Sequence, residues 1–400
     1  MGDTRLFPLA SAPLAPEAGA ARLPHVCFVA PTTWPVLSGD PHIDVIGGAE
    51  VQQSILARLL ARAGYPVSMI CLDYGQAQRL AVDGVMVHKT HTPDAGLPVL
   101  RFIHPRMTTM WQAMAEVNAD IYYQRAAGML TAVVAAFCRR HHKKSIYAGA
   151  SDHDFLPGRQ DIRYRRDRWL FERGLRRVDR LVVQNPTQQR YCRDNYDLPS
   201  TLIASCYALP ATSRPGHGKS VLWVGSMHRN KRPELFLELA SRLPQWQFVM
   251  VGGPAGGHGD AEFFAEIRQM AKRLPNVECT GFLPLAQVEA YFDRAAVLVN
   301  TSTHEGIPNT FLQAWARGIP SVAFVDTGAR LHDAPVYRIA GNIEDMVAEI
   351  ERLQRDEIYH RRSSTRCREY FTRTHSPDGV LSQYAQLFDE LAGPGGDGHD

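Results

Sequence analysis

From His25 onward, short apolar runs alternate with longer stretches whose apolar residues recur every three or four positions. The runs His25–Ala30, Val67–Cys71, Gly84–His88, Asp120–Tyr123, Ser145–Gly149 and Arg180–Gln184 predict strands, and the stretches between them predict helices. A second series follows, with strands at Val221–Gly225, Asn276–Gly281, Ala296–Asn300 and Val336–Ile339. Its helices are predicted at Pro233–Leu243, Leu285–Phe292, Ile343–Gln354 and Glu357–Phe371, with a last one from Ser376 to Leu391. Strand and helix in strict alternation mean α/β architecture with parallel sheets. The spacing therefore predicts two such domains, over residues 23–208 and 220–375, joined by the Pro/Gly/Ser-rich linker 209–219. Residues 376–392 are expected to form a C-terminal helix that can cross back to the first domain, 1–22 an Ala/Pro-rich disordered leader, and 393–400 a flexible tail.

Length agrees with this division, because 400 residues exceed what one core usually serves. A net charge of +3 gives no global field for nucleic acid, so no nucleic-acid partner is expected. Seven cysteines without a CxxC pair argue against a disulfide framework or a zinc site, and a reducing cytoplasm is the expected setting. The longest uncharged apolar run, Met129–Cys138, is far below the roughly 20 residues a spanning helix needs. Basic charge is instead local. Residues 159–180 carry nine arginines against four acids around Trp169, Leu170 and Phe171, close to Arg139-Arg140-His141-His142-Lys143-Lys144. Residues 139–180 read either as a solvated basic face or as a peripheral contact with anionic lipid at the inner face of the cytoplasmic membrane.

Candidate chemistry gathers where predicted strands end, the side on which open α/β sheets bind ligands. In Thr303–Phe324 a loop with Glu305, Gly306, Ile307, Pro308 and Asn309 runs into a short apolar helix. Asn309 is the expected cap, and amides of the first turn would then face an anionic ligand that carries hydroxyls. Arg229, Lys231 and Arg232 lie between a strand and a helix, where cations can neutralise a diphosphate leaving group. Gly47-Gly48 precedes a helix and reads as a phosphate-facing turn or simply a tight one. There is no GxGxxG after the first strand, which counts against a dinucleotide-dependent dehydrogenase. Arg125 and the cluster Ser151-Asp152-His153-Asp154 sit at two further strand ends. They read as substrate-contacting and proton-accepting groups, or as a loop tie and helix caps.

These motifs, in this order, resemble retaining two-domain glycosyltransferases of the family 4, group 1 type. Glu305 stands as the first member of an E-x7-E signature, the GSMHRNKRPE loop resembles the opening of the family's second domain, and the GGAE turn matches its glycine pair. The resemblance implies a GT-B fold, with two Rossmann-like doubly wound domains facing a cleft. It implies transfer of a sugar, with retention, from a nucleoside-diphosphate sugar to a glycan or lipid-linked acceptor, without a metal or other cofactor. Polysaccharide or cell-envelope glycan synthesis is the expected setting. It further implies that Glu305 touches sugar hydroxyls, that Gly306, Ile307, Pro308, Asn309 and Thr310 line the sugar and phosphate, and that position 313 meets the ribose. Gly47, Gly48, Ser226, Arg229, Lys231 and Arg232 would hold the diphosphate, with Arg125 touching donor or acceptor. Glu305, Lys231, His153, Asp152 and Asp154 are the catalytic candidates. Two positions depart from the family pattern: Gln313 replaces its second glutamate, and Ser226 replaces an arginine. Those departures keep two other readings open, a non-catalytic or partner-dependent nucleotide-sugar-binding protein and a sugar-nucleotide epimerase. On this reading, Gln313→Glu would leave activity the same or better.

Overall fold

A computed structural model of the protein describes residues 22–39, 47–97, 102–209, 219–254 and 259–392. The leader (apart from Arg22), most of the linker and the tail lie outside the described residues. Within the described chain there are two compact units, one of residues 22–39, 47–206 and 377–392, the other of residues 207–376.

The first unit is built on eight strands: β1 (Val26–Val29), β2 (Val67–Cys71), β3 (Arg79–Val82), β4 (Val85–Lys89), β5 (Ile121–Arg125), β6 (Lys144–Ala148), β7 (Arg180–Val183) and β8 (Thr201–Leu202). Their spatial order is β3-β4-β2-β1-β5-β6-β7-β8, parallel throughout except for the β3–β4 pair. Central strands such as β1 and β2 are buried along their whole length because helices cover both faces of the sheet. The helices are α1 (Trp34–Ser38), α2 (Gly48–Arg62), α3 (Thr108–Val117), α4 (Leu130–His141), α5 (Arg165–Leu175) and α6 (Pro186–Tyr196). One core forms around Cys27, Tyr122 and Phe137, another around Tyr147, Phe155 and Phe171. The hairpin β3–β4 was not expected from the apolar pattern, because β3 is a short edge strand that alternates exposed and half-buried residues. Its signal is local: Asp83-Gly84, both with positive φ, is the two-residue turn that hairpin twist favours.

The second unit carries β9 (Ser220–Val224), β10 (Gln247–Val251), β11 (Val277–Gly281), β12 (Ala295–Asn300), β13 (Ser321–Ala323), the short antiparallel pair β14 (Arg330–Leu331) and β15 (Ala334–Pro335), and β16 (Arg338–Ile339). Six of them form a parallel sheet in the order β11-β10-β9-β12-β13-β16. Its helices are α7 (Pro233–Arg242), α8 (Asp260–Ala271), α9 (Leu285–Phe292), α10 (Asn309–Ala316), α11 (Ile343–Arg355) and α12 (Glu357–Thr374). Trp223, Phe236 and Phe248 centre the core. The last helix, α13 (Pro377–Ala392), belongs to the first unit, where Tyr384 meets Tyr123 with hydroxyls 3.4 Å apart.

In the basic stretch, α5 turns Phe171 and Leu175 into the core and leaves Trp169 exposed. Gly174 sits directly on the backbone of α4, where an added Cβ would come within 2.6 Å of the Ala132 amide nitrogen. No described helix is long and apolar enough to cross a membrane.

Candidate functional site

Strands β9 and β12 are parallel neighbours, with Leu222 opposite Leu298, so the loops that leave their carboxyl ends emerge side by side. Sequence separation of about 70 residues is thereby erased, and the two loops are stitched together. Thr303 N donates to Asn230 O at 2.9 Å, and Thr301 Oγ1 donates to Lys231 O at 2.6 Å while accepting from Trp223 Nε1 at 3.0 Å. Arg232 donates to Thr301 O at 2.7 Å and Ser302 O at 3.2 Å. Held this way, Lys231 Nζ pairs with Glu305, whose Oε1 also accepts from Ser302 Oγ at 2.7 Å. Both bonds fall on Oε1, so Oε2 takes no part in the pairing. The pair is accessible, with side chains 24% and 14% exposed. Arg229, two residues earlier in the same loop, stacks with its guanidinium 4.7 Å from the centre of the Phe263 ring and is bonded to no carboxylate among the described residues. A Cβ added at Gly306 would meet nothing within 4 Å, and Gly306, Ile307, Pro308, Asn309 and Thr310 are each half-buried along the loop that enters α10.

Three assignments of the sequence reading change here. Pro308, not Asn309, stands at the N-cap of α10, so no side chain of the capping residue closes the helix start. Arg232 has left-handed backbone and gives its guanidinium to the two carbonyls just after β12, with the guanidinium over the Phe324 ring. It fastens the two loops to each other. Gln313 is 3% exposed and points to α9: its Nε2 donates to Glu289 Oε1 at 2.8 Å. Glu289 also accepts from Tyr207 OH at 2.7 Å and from Arg317 Nη2 at 2.6 Å. Burial and the Glu289 carboxylate hold the Tyr207 hydroxyl far above its ordinary pKa. Gln313 is thus a buried member of a partly buried charge network, and its amide nitrogen is turned to Glu289.

Two further pieces set the shape of this end of the sheet. Gly252, at φ 149°, passes so near Gly225 that a Cβ would lie 1.8 Å from its carbonyl oxygen. Asn276 is buried and donates to the carbonyls at the end of α7, including Ala240 O at 3.0 Å, which gives it a capping task. Ser226 is exposed in the turn between them.

In the first unit, Gly47 caps α2 and Gly48 begins it. The Glu50 carboxylate folds back against Gly47, where a Cβ would approach it to 2.1 Å, and accepts from Thr32 Oγ1 at 2.7 Å. The glycine pair therefore has a carboxylate of its own beside the helix start. The SDHD cluster forms a single 3-10 turn, Asp152–Phe155, after β6. Asp154 is buried and accepts from Ala150 N and Tyr147 OH, each at 2.8 Å. Burial raises its pKa, opposed less strongly by those bonds. Asp154 is a structural cap, which removes it from the catalytic set. Asp152 Oδ1 accepts from Asn185 Nδ2 at 3.1 Å and Gln188 Nε2 at 3.0 Å, and Asp152 and His153 are half-buried. Arg125, at the end of β5, is 9% exposed and donates to Ser205 Oγ at 3.2 Å. Among the described residues no three His, Cys, Asp or Glu side chains gather as metal ligands would. Thr301, Ser302, Trp223 and Glu289 carried no motif in the sequence; only the pairing of β9 with β12 and the packing of α9 on α10 reveal them.

Comparison with known proteins agrees with this architecture. Residues 46–206 match the family Glycosyltransferase Family 4, and residues 218–356 match Glycosyl transferases group 1. A curated relative, an uncharacterized glycosyltransferase of Haemophilus influenzae, is 29% identical over 111 residues, 26% of this chain and 30% of that protein's length. Sucrose-phosphate synthase of Thermosynechococcus elongatus superposes with a TM-score of 0.71 at 18% identity, over 92% of this chain and 99% of its own. Anabaena HepE, in complex with UDP-glucose, gives 0.66 at 14% identity, over 92% and 100%. At such identities the likeness is one of fold, and that fold is the GT-B arrangement of two Rossmann-like domains.

Proposed function

Because the chain belongs to the glycosyltransferases of the family 4, group 1 type, we propose that it moves a hexosyl or related glycosyl group from a nucleoside-diphosphate sugar to a glycan or lipid-linked acceptor, with retention and without a metal. The observation that carries this is the Lys231–Glu305 pair in the stitched loops of the second unit. When the bond from the anomeric carbon to the diphosphate oxygen breaks, negative charge grows on that oxygen. Lys231 and Arg229 supply fixed positive charge for it, and the first-turn amides of α10 add partial charge. Glu305 anchors Lys231 through one oxygen and offers the other to sugar hydroxyls. In the first unit, the turn carrying Asp152 and His153 takes the proton of the acceptor hydroxyl as the new glycosidic bond forms. Polysaccharide or cell-envelope glycan synthesis, in the cytoplasm, suits such an acceptor. The exposed Trp169 and Tyr164, each with an arginine over its ring, support peripheral contact of residues 139–180 with anionic lipid.

The test is a panel of nucleotide sugars, starting with UDP-glucose. Acceptor-dependent release of nucleoside diphosphate supports transfer; interconversion of the donor means an epimerase, and binding alone a non-catalytic module. Removing one preorganised charge from a leaving group costs on the order of 10²–10³ in kcat, so Lys231→Ala and Glu305→Ala each lower turnover at least about ten-fold. Unchanged rates in both would remove the pair from the reaction. The anomeric configuration of the product, read by NMR, decides retention.

A further inference from the structure

The guanidinium of Arg125 stands at the carboxyl end of β5 with an incomplete set of partners. It is 9% exposed, it donates to Ser205 Oγ at 3.2 Å, and its Nε is buried without any hydrogen-bond partner. No carboxylate lies within ion-pair distance of it among the described residues. Asp154 is near enough to feel its charge, yet spends its accepting oxygen on Tyr147 and the amides of Ala150 and Ser151. A buried cation left unpaired is strongly unfavourable, and a guanidinium is the side chain least able to escape by losing its proton.

The surroundings of Arg125 are rigid and polar. Ser205 Oγ donates to Gln184 Oε1 at 2.6 Å, and Gln184 Nε2 in turn reaches Gly149 O. That chain of bonds joins the ends of β5, β6 and β7, which are consecutive in the sheet. The Asp152 turn leaves the same end of β6. Ligands of open parallel sheets sit beyond the carboxyl ends of the strands, and a fixed guanidinium suits a tetrahedral oxyanion.

We propose that Arg125, held in place by Ser205, forms an anion subsite of the first unit, and that the acceptor this protein glycosylates carries a phosphate there. The inference rests on the transferase reading for the word acceptor, but the subsite itself does not. Phosphate in the subsite supplies the counter-charge that no described carboxylate gives the guanidinium, and the Ser205–Gln184–Gly149 chain keeps the seat in place before the ligand arrives.

Thermal unfolding of the full chain in phosphate against chloride, at equal ionic strength, tests the subsite. Wild type gains about 3 °C or more when phosphate is at roughly ten times its dissociation constant. Lys231→Ala, which weakens anion binding by the second unit, keeps that gain; Arg125→Gln loses it, and Arg125→Lys, chosen in case the glutamine variant folds poorly, keeps only part. A gain lost in Lys231→Ala but kept in Arg125→Gln overturns the proposal, as does no gain in wild type. A lower melting temperature of Arg125→Gln with an unchanged phosphate gain makes Arg125 a structural tie only, and overturns it too. Glucose 6-phosphate distinguishes the source of the anion: protection at lower concentration than free phosphate supports a phosphorylated acceptor, and equal protection overturns that part. UDP binding by calorimetry stands apart. Failure of wild type to bind UDP sinks the donor reading while leaving the phosphate result intact.

Discussion

Replacing Gln313 by glutamate restores the family's E-x7-E pattern in sequence and breaks the packing in space. The Gln313 amide lies 2.8 Å from Glu289 Oε1 in a position only 3% exposed, so the substitution sets two carboxylates face to face. A bond to a charged acceptor, worth about 1.5–3 kcal/mol, is lost. Two unit charges about 4 Å apart repel by about 4 kcal/mol at an effective dielectric constant of 20. Protonation sets a ceiling: holding a carboxyl of ordinary pKa near 4.3 neutral at pH 7 costs about 3.7 kcal/mol, and the protonated acid regains the bond to Glu289. Arg317, already bonded to Glu289 at 2.6 Å, relieves part of the repulsion. The net cost is about 2–4 kcal/mol at pH 7, roughly 4–16 °C of melting temperature for a unit of this size. The sign of the pH dependence follows. The introduced carboxyl has a folded pKa above its unfolded value, so the penalty is absent below about pH 4.3 and grows as pH rises through the raised pKa. Scanning calorimetry of Gln313→Glu against wild type at pH 5 and pH 8 reads it directly. Equal melting temperatures at pH 8, or the same deficit at both pH values, would refute the buried network.

Asp154 titrates in the opposite sense to an ordinary ion-paired aspartate: burial raises its pKa, so its contribution to stability is present at low pH and declines as pH rises through the raised value. Asp154→Asn should flatten that decline in a stability–pH profile while keeping the fold, and an unchanged profile would show that Asp154 is not buried as described. Asp154→Ala leaves the Ala150 amide and Tyr147 hydroxyl unpaired and should cost about 2–4 kcal/mol by denaturant titration. A loss below about 0.5 kcal/mol, the scale of a surface substitution, would speak against its capping task. Gly252→Ala drives a methyl into the Gly225 carbonyl and should lower the melting temperature by at least about 6 °C, taking UDP affinity down with it. An alanine variant as stable as wild type would mean that β9 and β10 do not approach as closely as they do here.

Apolar periodicity alone determined much of this protein: strands within a residue or two of β1, β2, β5, β7, β9 and β12, the helices that separate them, and hence two parallel α/β units. That information is local. A buried strand must be apolar whatever it packs against, and a Gly-rich or Pro-bearing turn states its own conformation. The chemistry of Lys231 and Glu305 was visible as residue types at strand ends. What brought them together was the register of β9 against β12, a pairing that no spacing along the chain encodes. Tertiary packing also decided which side chains are available. Arg232, Asp154 and Gln313 look like site residues in one dimension and are spent in three, because each is turned toward unsatisfied partners of the fold: two carbonyls, two amides with a hydroxyl, and a half-buried carboxylate. Arg125 is the converse. Its bare position at a strand end says little, whereas its burial and unfilled bonding mark it as waiting for an anion. Sequence determines which groups exist, but their partners depend on distances that only the folded chain sets.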